Sequence, residues 1–116
     1  MSIDRSTNWQ DGIQVAMTYC DADGIICDMN SASIAVFSKD GGENLIGENV
    51  LDCHPEPGRS KLKDLIDHPR INVYTIEKDG HKKLIYQAPV MDGEEYLGFV
   101  EISLPIPNDI PHYIRS

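Results

Sequence analysis

Aromatic side chains are scarce in this sequence, at 7% of residues, and bases are few, 10 lysines and arginines against 19 aspartates and glutamates. The resulting net charge of −9 repels phosphate backbones and anionic lipid surfaces, which argues against nucleic acid or a membrane as partner. No apolar run approaches the roughly 20 residues a spanning helix needs. The opening residues, MSIDRSTNWQ, lack the apolar stretch of a secretory signal, so the chain is expected in the cytoplasm. Three cysteines are present, Cys20, Cys27 and Cys53, an odd number that argues against a disulfide framework in a reducing compartment. Their spacing matches no zinc signature such as C-x-x-C. A phosphate-cradling glycine loop, an oxyanion loop, a base with its orienting partner and a hydrolytic carboxylate pair are all missing. An enzyme is therefore the least favoured class, with thiol chemistry at Cys53 its one route.

What is there reads as one domain of 116 residues with 41% hydrophobic composition, enough for a single core. Residues 1–12 form a polar arm or short helix, capped by Thr7 or Asn8, whose Ile3, Trp9 and Ile13 pack on the domain or on a second copy. Val15 to Cys20 alternates as a strand. Asp21-Ala-Asp-Gly24 is a turn, and Ile25 to Met29 completes a hairpin. Asn30 caps a short helix with Ile34, Ala35 and Phe37 on its apolar face, stopped by Lys39-Asp-Gly-Gly42. A longer helix opens at Arg59 or Ser60 and ends at His68-Pro69, with Leu62, Leu65 and Ile66 on one face. Ile71 to Lys78 is rich in β-branched and aromatic residues, and Asp79-Gly80 is the strongest hairpin signal in the chain. Lys82 to Val90 follows. Glu95 to Leu104 closes the sheet, with Tyr96, Val100, Ile102 and Leu104 on one face. Pro105, Pro107 and Pro111 keep residues 105–116 an extended tail. The order predicts an α+β domain over residues 13–104: a five-stranded antiparallel sheet, with short helices and one longer helix covering one face.

The stretch Ile46-Gly47-Glu48-Asn49-Val50-Leu51-Asp52-Cys53-His54-Pro55 organises the rest. Proline biases His54 to an extended or turn geometry, which fixes a thiol and an imidazole at one corner. Cys53 and His54 are candidates for a ligand, metal or redox site, since a histidine near a thiol favours the thiolate. The plainer alternative is a buried Cys53 and a His54 that caps a turn. A metal cage of Cys20, Cys27, Cys53 and His54 would suit zinc or iron, but needs the hairpin to approach the corner. Otherwise Cys20 and Cys27 pack as small hydrophobes. Arg59 either holds an anionic ligand with its planar fork or pairs with Glu56 or Asp64 at the surface. Leu62 and Ile66 belong to the core and are candidate walls. Among the strand residues Tyr74 and Tyr86 are candidate walls too. Strand alternation admits only one of Tyr86 and Gln87, and the pattern does not fix which.

Taken together these segments resemble the PAS domains. Asp21-Ala-Asp-Gly24-Ile-Ile26 with Asn30 is similar to their opening hairpin and first helix. Leu45-Ile46-Gly47 and His54-Pro55-Glu56 are similar to the central segment. Lys78-Asp79-Gly80 and Pro89-Val90-Met-Asp-Gly-Glu-Glu-Tyr-Leu-Gly98 are similar to the last strands. A narrower resemblance, carried by Gly47-Glu-Asn-Val50-Leu-Asp-Cys53-His54-Pro55, is to a PAS subgroup C-terminal to hemerythrin-like helical domains in bacteria and archaea. This chain reads as the stand-alone form. The resemblance implies sensing and signal transduction: a pocket between sheet and helices binds a small molecule or cofactor, and the output passes through a homodimer or a signalling partner. The light-sensing flavin members carry a cysteine directly after Gly-x-Asn, where this chain has Val50, so flavin photochemistry is not expected. The haem-binding oxygen sensors carry their ligand histidine where this chain has Leu62. The resemblance leaves haem or iron possible only through His54, with or without Cys53, in another geometry. The cofactor itself is unknown at this stage.

Overall fold

The computed structural model describes residues 8–116. The packing expected of Ile3 lies outside them, while Trp9–Asp11 forms a single 3-10 turn with Trp9 exposed. Strands β1 (Ala16–Asp21) and β2 (Ile26–Met29) make the first hairpin. The Asp21 carboxylate accepts from the N–H groups of Asp23 at 2.9 Å and Ile25 at 3.0 Å, which closes the turn by a local side-chain bond. Helix α1 (Ser31–Val36) starts at Asn30, as its sequence position predicts. Asn30 does more than cap. Its Oδ1 accepts from Ser33 N at 3.0 Å and Met17 N at 2.9 Å, and its Nδ2 donates to Gln10 O at 2.8 Å and Val15 O at 2.7 Å. One buried amide thus ties the N-terminal turn, β1 and α1 together, with all its groups satisfied. The inward residue of α1 is Ser33, which meets the Thr18 hydroxyl at 2.5 Å. Ile34 and Phe37 are half-buried, and Ala35, expected on the apolar face, is exposed.

Three further 3-10 turns, Ser38–Asp40, Gly42–Leu45 and Val50–Cys53, lead to α2 (Gly58–Asp67), then β3 (Asn72–Lys78), β4 (His81–Asp92) and β5 (Glu95–Ile106). The sheet is antiparallel in the order β2-β1-β5-β4-β3. This is the α+β architecture predicted from the sequence. Register assigns the faces. Thr18 pairs with Glu101, Cys20 with Phe99, Gln87 with Glu101 and Tyr74 with Ile85, and these residues share the helix side. Met17, Tyr19, Tyr86, Val100 and Ile102 share the other side.

Two expectations for β5 are corrected. Val90 pairs with Gly98 but Met91 pairs with Tyr96, so Leu97 is an extra residue in a bulge. The two-against-one count turns Tyr96 onto the Phe99 face, away from Val100 and Ile102. Gly98 is needed beside the bulge, because a Cβ there would overlap the Cys20 carbonyl and the Tyr19 ring. The strand also runs past Leu104, with Pro105 opposite Lys83 and Ile106 opposite Lys82. β1 stops pairing at Ser103, so one side of β5 is open there and the missing proline N–H leaves no ladder bond unmade.

The core is two clusters on the helix side. Cys20, Ile26, Met29 and Leu45 form one, and Leu62, Leu65, Ile66 and Phe99 form the other. Val50 packs against both.

Candidate functional site

The Cys-His corner is built on the first hairpin. Ile26 N donates to Glu48 O at 2.9 Å, Gly47 N to Ile26 O at 2.8 Å and Val50 N to Gly24 O at 2.8 Å. The chain therefore runs as a partner of β2 before it turns inward. Gly47 allows that turn, since its φ of 99° is in a region other residues rarely adopt. Asn49 then caps the 3-10 turn by accepting from Leu51 N at 2.9 Å. His54 leaves the turn extended, at φ −119° and ψ 121°, as a residue before proline should.

His54 Nδ1 lies 2.8 Å from the Val50 carbonyl oxygen. A carbonyl only accepts, so Nδ1 carries a proton and donates it, which leaves Nε2 as the ring nitrogen not engaged by this bond. That ring borders three spaces. The first is a cavity of about 90 Å³ between the sheet and the corner, walled by Cys20, Met29, Phe37, Leu45, Cys53 and Phe99 among others. The second, about 440 Å³ and open, runs below α2 between Leu65, Tyr74 and Gln87. The third, about 220 Å³, lies over Tyr74, Ile76, Lys83 and Ile85. Among the described residues, His54 is the residue common to all three.

A polar relay crosses the sheet beneath them. Asn72 Nδ2 donates to Gln87 Oε1 at 2.8 Å, and Gln87 Nε2 donates to Glu101 Oε1 at 2.7 Å. Glu101 ends the relay at the wall of the inner cavity, beside Thr18.

The candidate residues are divided by this geometry. Cys53, His54 and Leu62 wall the inner cavity. Tyr74 walls the two adjoining spaces. Ile66 is buried in the second core cluster, outside the cavity. Arg59 turns to the surface, 3.6 Å from Asp52 and 3.3 Å from the Leu51 carbonyl, while Glu56 accepts from Ser60 N at 2.8 Å. Arg59 is thus no ligand clamp, and its partner is neither Glu56 nor Asp64. Tyr86 is on the far face of the sheet, opposite Val73 and Ile102, and Gln87 takes the inward position. The parity follows from the Asp79-Gly80 turn, because pairing Lys78 with His81 sets Asn72 opposite Gln87. Glu101, Thr18 and Asp40 are cavity residues that sequence reasoning missed. Glu101 carried a signal, as a lone carboxylate within the alternating run Phe99-Val-Glu-Ile102.

The thiols stand apart. Cys20 is buried, which pushes its pKa up to about 12, with Glu101 adding to the effect. Cys27 is exposed on β2 and points to Ile25 O at 3.3 Å, so it is not a core thiol. Burial, then the carboxylates of Glu48, Asp52 and Asp40, push the Cys53 thiol up. An activated nucleophile needs the opposite shift. No cluster of three or more metal-binding side chains occurs among the described residues, so the four-ligand cage does not form. No helix among them is long and apolar enough to cross a membrane.

No family model and no curated protein matches this sequence. Solved structures do match its shape. A C-terminal domain from Streptococcus mutans superposes with a TM-score of 0.71 at 18% identity, covering 90% of this chain and 85% of that one. The dual PAS-haem oxygen-sensing receptor of Vibrio cholerae gives 0.64 at 17% identity, covering 80% and 95%. The PAS domain of BvgS from Bordetella pertussis gives 0.60 at 19%, covering 85% and 82%. Sheet order, the grouped central helices and these neighbours agree on one point: the chain has the PAS fold.

Proposed function

We propose that this chain is a sensory PAS module that binds a small molecule between sheet and helices and signals through a homodimer or a partner protein. The observation that carries the proposal is the 90 Å³ cavity at the Cys53-His54 corner, open at the Cys53 and Asp40 rim. Burial and nearby carboxylates push the Cys53 thiol beside it up, which does not favour a nucleophile, and fold alone names no ligand. The cavity is small. One probe-sized water needs about 10–15 Å³, so the space suits a ligand of on the order of six heavy atoms. The far face of the sheet supports the output half of the proposal. Val73 is 48% exposed and Leu104 36%, and both sit with half-buried Tyr86, Val100 and Ile102 on the face turned away from the two core clusters. Such a face suits a second copy or a partner in the cytoplasm of a prokaryote. The closer kinship to the Cys-His-Pro subgroup rests on residues 47–55 alone.

Haem was the second reading, and His54 has the right chemistry for it: Nδ1 is held by a carbonyl and Nε2 is free. The inner cavity, at about 90 Å³, is below even the roughly 300–1,000 Å³ of pockets for drug-sized ligands, so a haem on His54 would have to occupy the open space of about 440 Å³ below α2 instead.

The test is a screen of soluble compounds of that size against the amide spectrum of labelled protein, beside a visible spectrum and a native mass of the same sample. Hits should move the amides of Cys20, Val50 and Phe99 and leave those of β3 in place. A screen in which no compound moves the cavity amides overturns the proposal. A Soret band lost in His54→Ala would overturn it in favour of haem.

A further inference from the structure

The inner cavity has one sign of charge. Its charged residues are Asp40 and Glu101, and no lysine or arginine walls it. Glu101 is half-buried on the central strand, and its one hydrogen bond partner is the neutral amide of Gln87. The ion pairs among the described residues join Arg59 to Asp52, Lys63 to Asp67 and Arg70 to Asp64, all at the surface. Among the described residues Glu101 makes no ion pair, although Lys83 borders the adjoining third space with it. A carboxylate withdrawn from water without a cation is costly, and folded proteins usually pair it. Gln87 is itself fixed by Asn72, so one carboxylate oxygen of Glu101 is tied to β4 while the residue lines the cavity. The apolar walls include Phe99, Met29, Leu45 and Leu62, and His54 also borders the space.

From this, and resting on the sensor reading above, we infer that the ligand is a small protonated amine, its ammonium against Glu101 and its short alkyl body against Phe99 and Met29. The missing counter-ion is supplied by the ligand. Carboxylates and phosphates are excluded by the same field. The raised thiol of Cys20 agrees, since Glu101 contributes to holding it neutral. A bare metal ion fits less well, because among the described residues no three ligating side chains lie close enough together to hold one.

The experiment compares n-butylammonium, 1-butanol and butyrate at neutral pH by amide shifts and titration calorimetry, in the full chain and in Glu101→Gln. The variant keeps an oxygen for Gln87 to donate to, so the relay and the fold are retained. Butylammonium should bind, butanol more weakly and butyrate not at all. Glu101→Gln should lower butylammonium affinity tenfold or more, as a lost charge-assisted bond does, and leave butanol unchanged. Asp40→Asn, at the exposed rim, should cost less. If butanol or butyrate binds as well as the ammonium, or if Glu101→Gln binds it equally well, the amine assignment is overturned and the sensor reading stands. Silence from all three overturns the assignment, and only a silent compound screen removes the sensor reading too.

Discussion

The two ends of the sheet are built differently. At the β2-β1-β5 end, helices and the central segment cover one face, and Cys20 and Phe99 are only 3% and 2% exposed. At the β3 end, Val73 and Ile76 lie on opposite faces of one strand and are 48% and 44% exposed. Charge divides the same way. Lys39 is the only lysine or arginine in residues 8–58, whereas Lys61, Lys63, Arg70, Lys78, Lys82 and Lys83 gather from α2 to β4. The inner cavity is at the acidic, covered end. The bare end has neither the packing nor the field to hold a small cation, but it has the accessible surface that a partner needs. The Asn72-Gln87-Glu101 relay is the polar link between them.

The largest test of this contrast is stability. Phe99→Ala removes a ring from a cluster with Leu62, Leu65 and Ile66 and should cost about 3–5 kcal/mol. Ile76→Ala on the exposed strand should cost less than about 1 kcal/mol. Urea unfolding of both variants measures the difference. Equal losses would mean that the bare end is covered in solution.

The sequence carried the elements better than their faces. The Asp21–Gly24 and Asp79-Gly80 turns, the Asn30 cap and the Leu62-Leu65-Ile66 stripe are local signals, and local chemistry decided them. Faces depend on register over long range. The apolar alternation Val100-Ile102-Leu104 looks like a core face, yet it is the face turned away from the two core clusters. The helix side instead holds Thr18, Gln87 and Glu101, because a relay and a cavity need polar groups there. Tyr96 was misplaced by a one-residue bulge, the smallest change that reverses a strand's faces. Of the site, the corner residues were legible since Gly47 and Pro55 fix their backbone. Glu101 was not, as its partners lie on β4 and β3.

A second, smaller effect concerns the thiols and alkaline pH. Exposed Cys27 should react first with Ellman's reagent, Cys53 more slowly, and buried Cys20 only on unfolding. Cys20 has its pKa raised from 9.0 to about 12 in the fold. The unfolded chain therefore releases that proton first as pH rises. The stability that goes with the neutral buried thiol is intact below pH 9 and is lost progressively toward pH 12. Thermal melts between those limits should show the decline, and Cys20→Ala should shallow it. An unchanged slope in Cys20→Ala would assign the decline to other groups.

The smallest expected change in stability is also the sharpest test of the bare end. Val73 sits on the open face opposite Tyr86, on a strand whose only neighbour is β4. Lysine there has water around its head and can lie its stem along the sheet, so Val73→Lys should alter the unfolding free energy by no more than about 0.5 kcal/mol. A charge at the same spot inside an interface would be buried without a partner. If the open face joins two copies, Val73→Lys should leave the melt in place and shift the sedimentation profile toward monomer. Glu101→Gln, on the other side of the sheet, should leave that profile unchanged. A variant that stays as associated as the parent would remove this face from the output and return that role to the N-terminal arm.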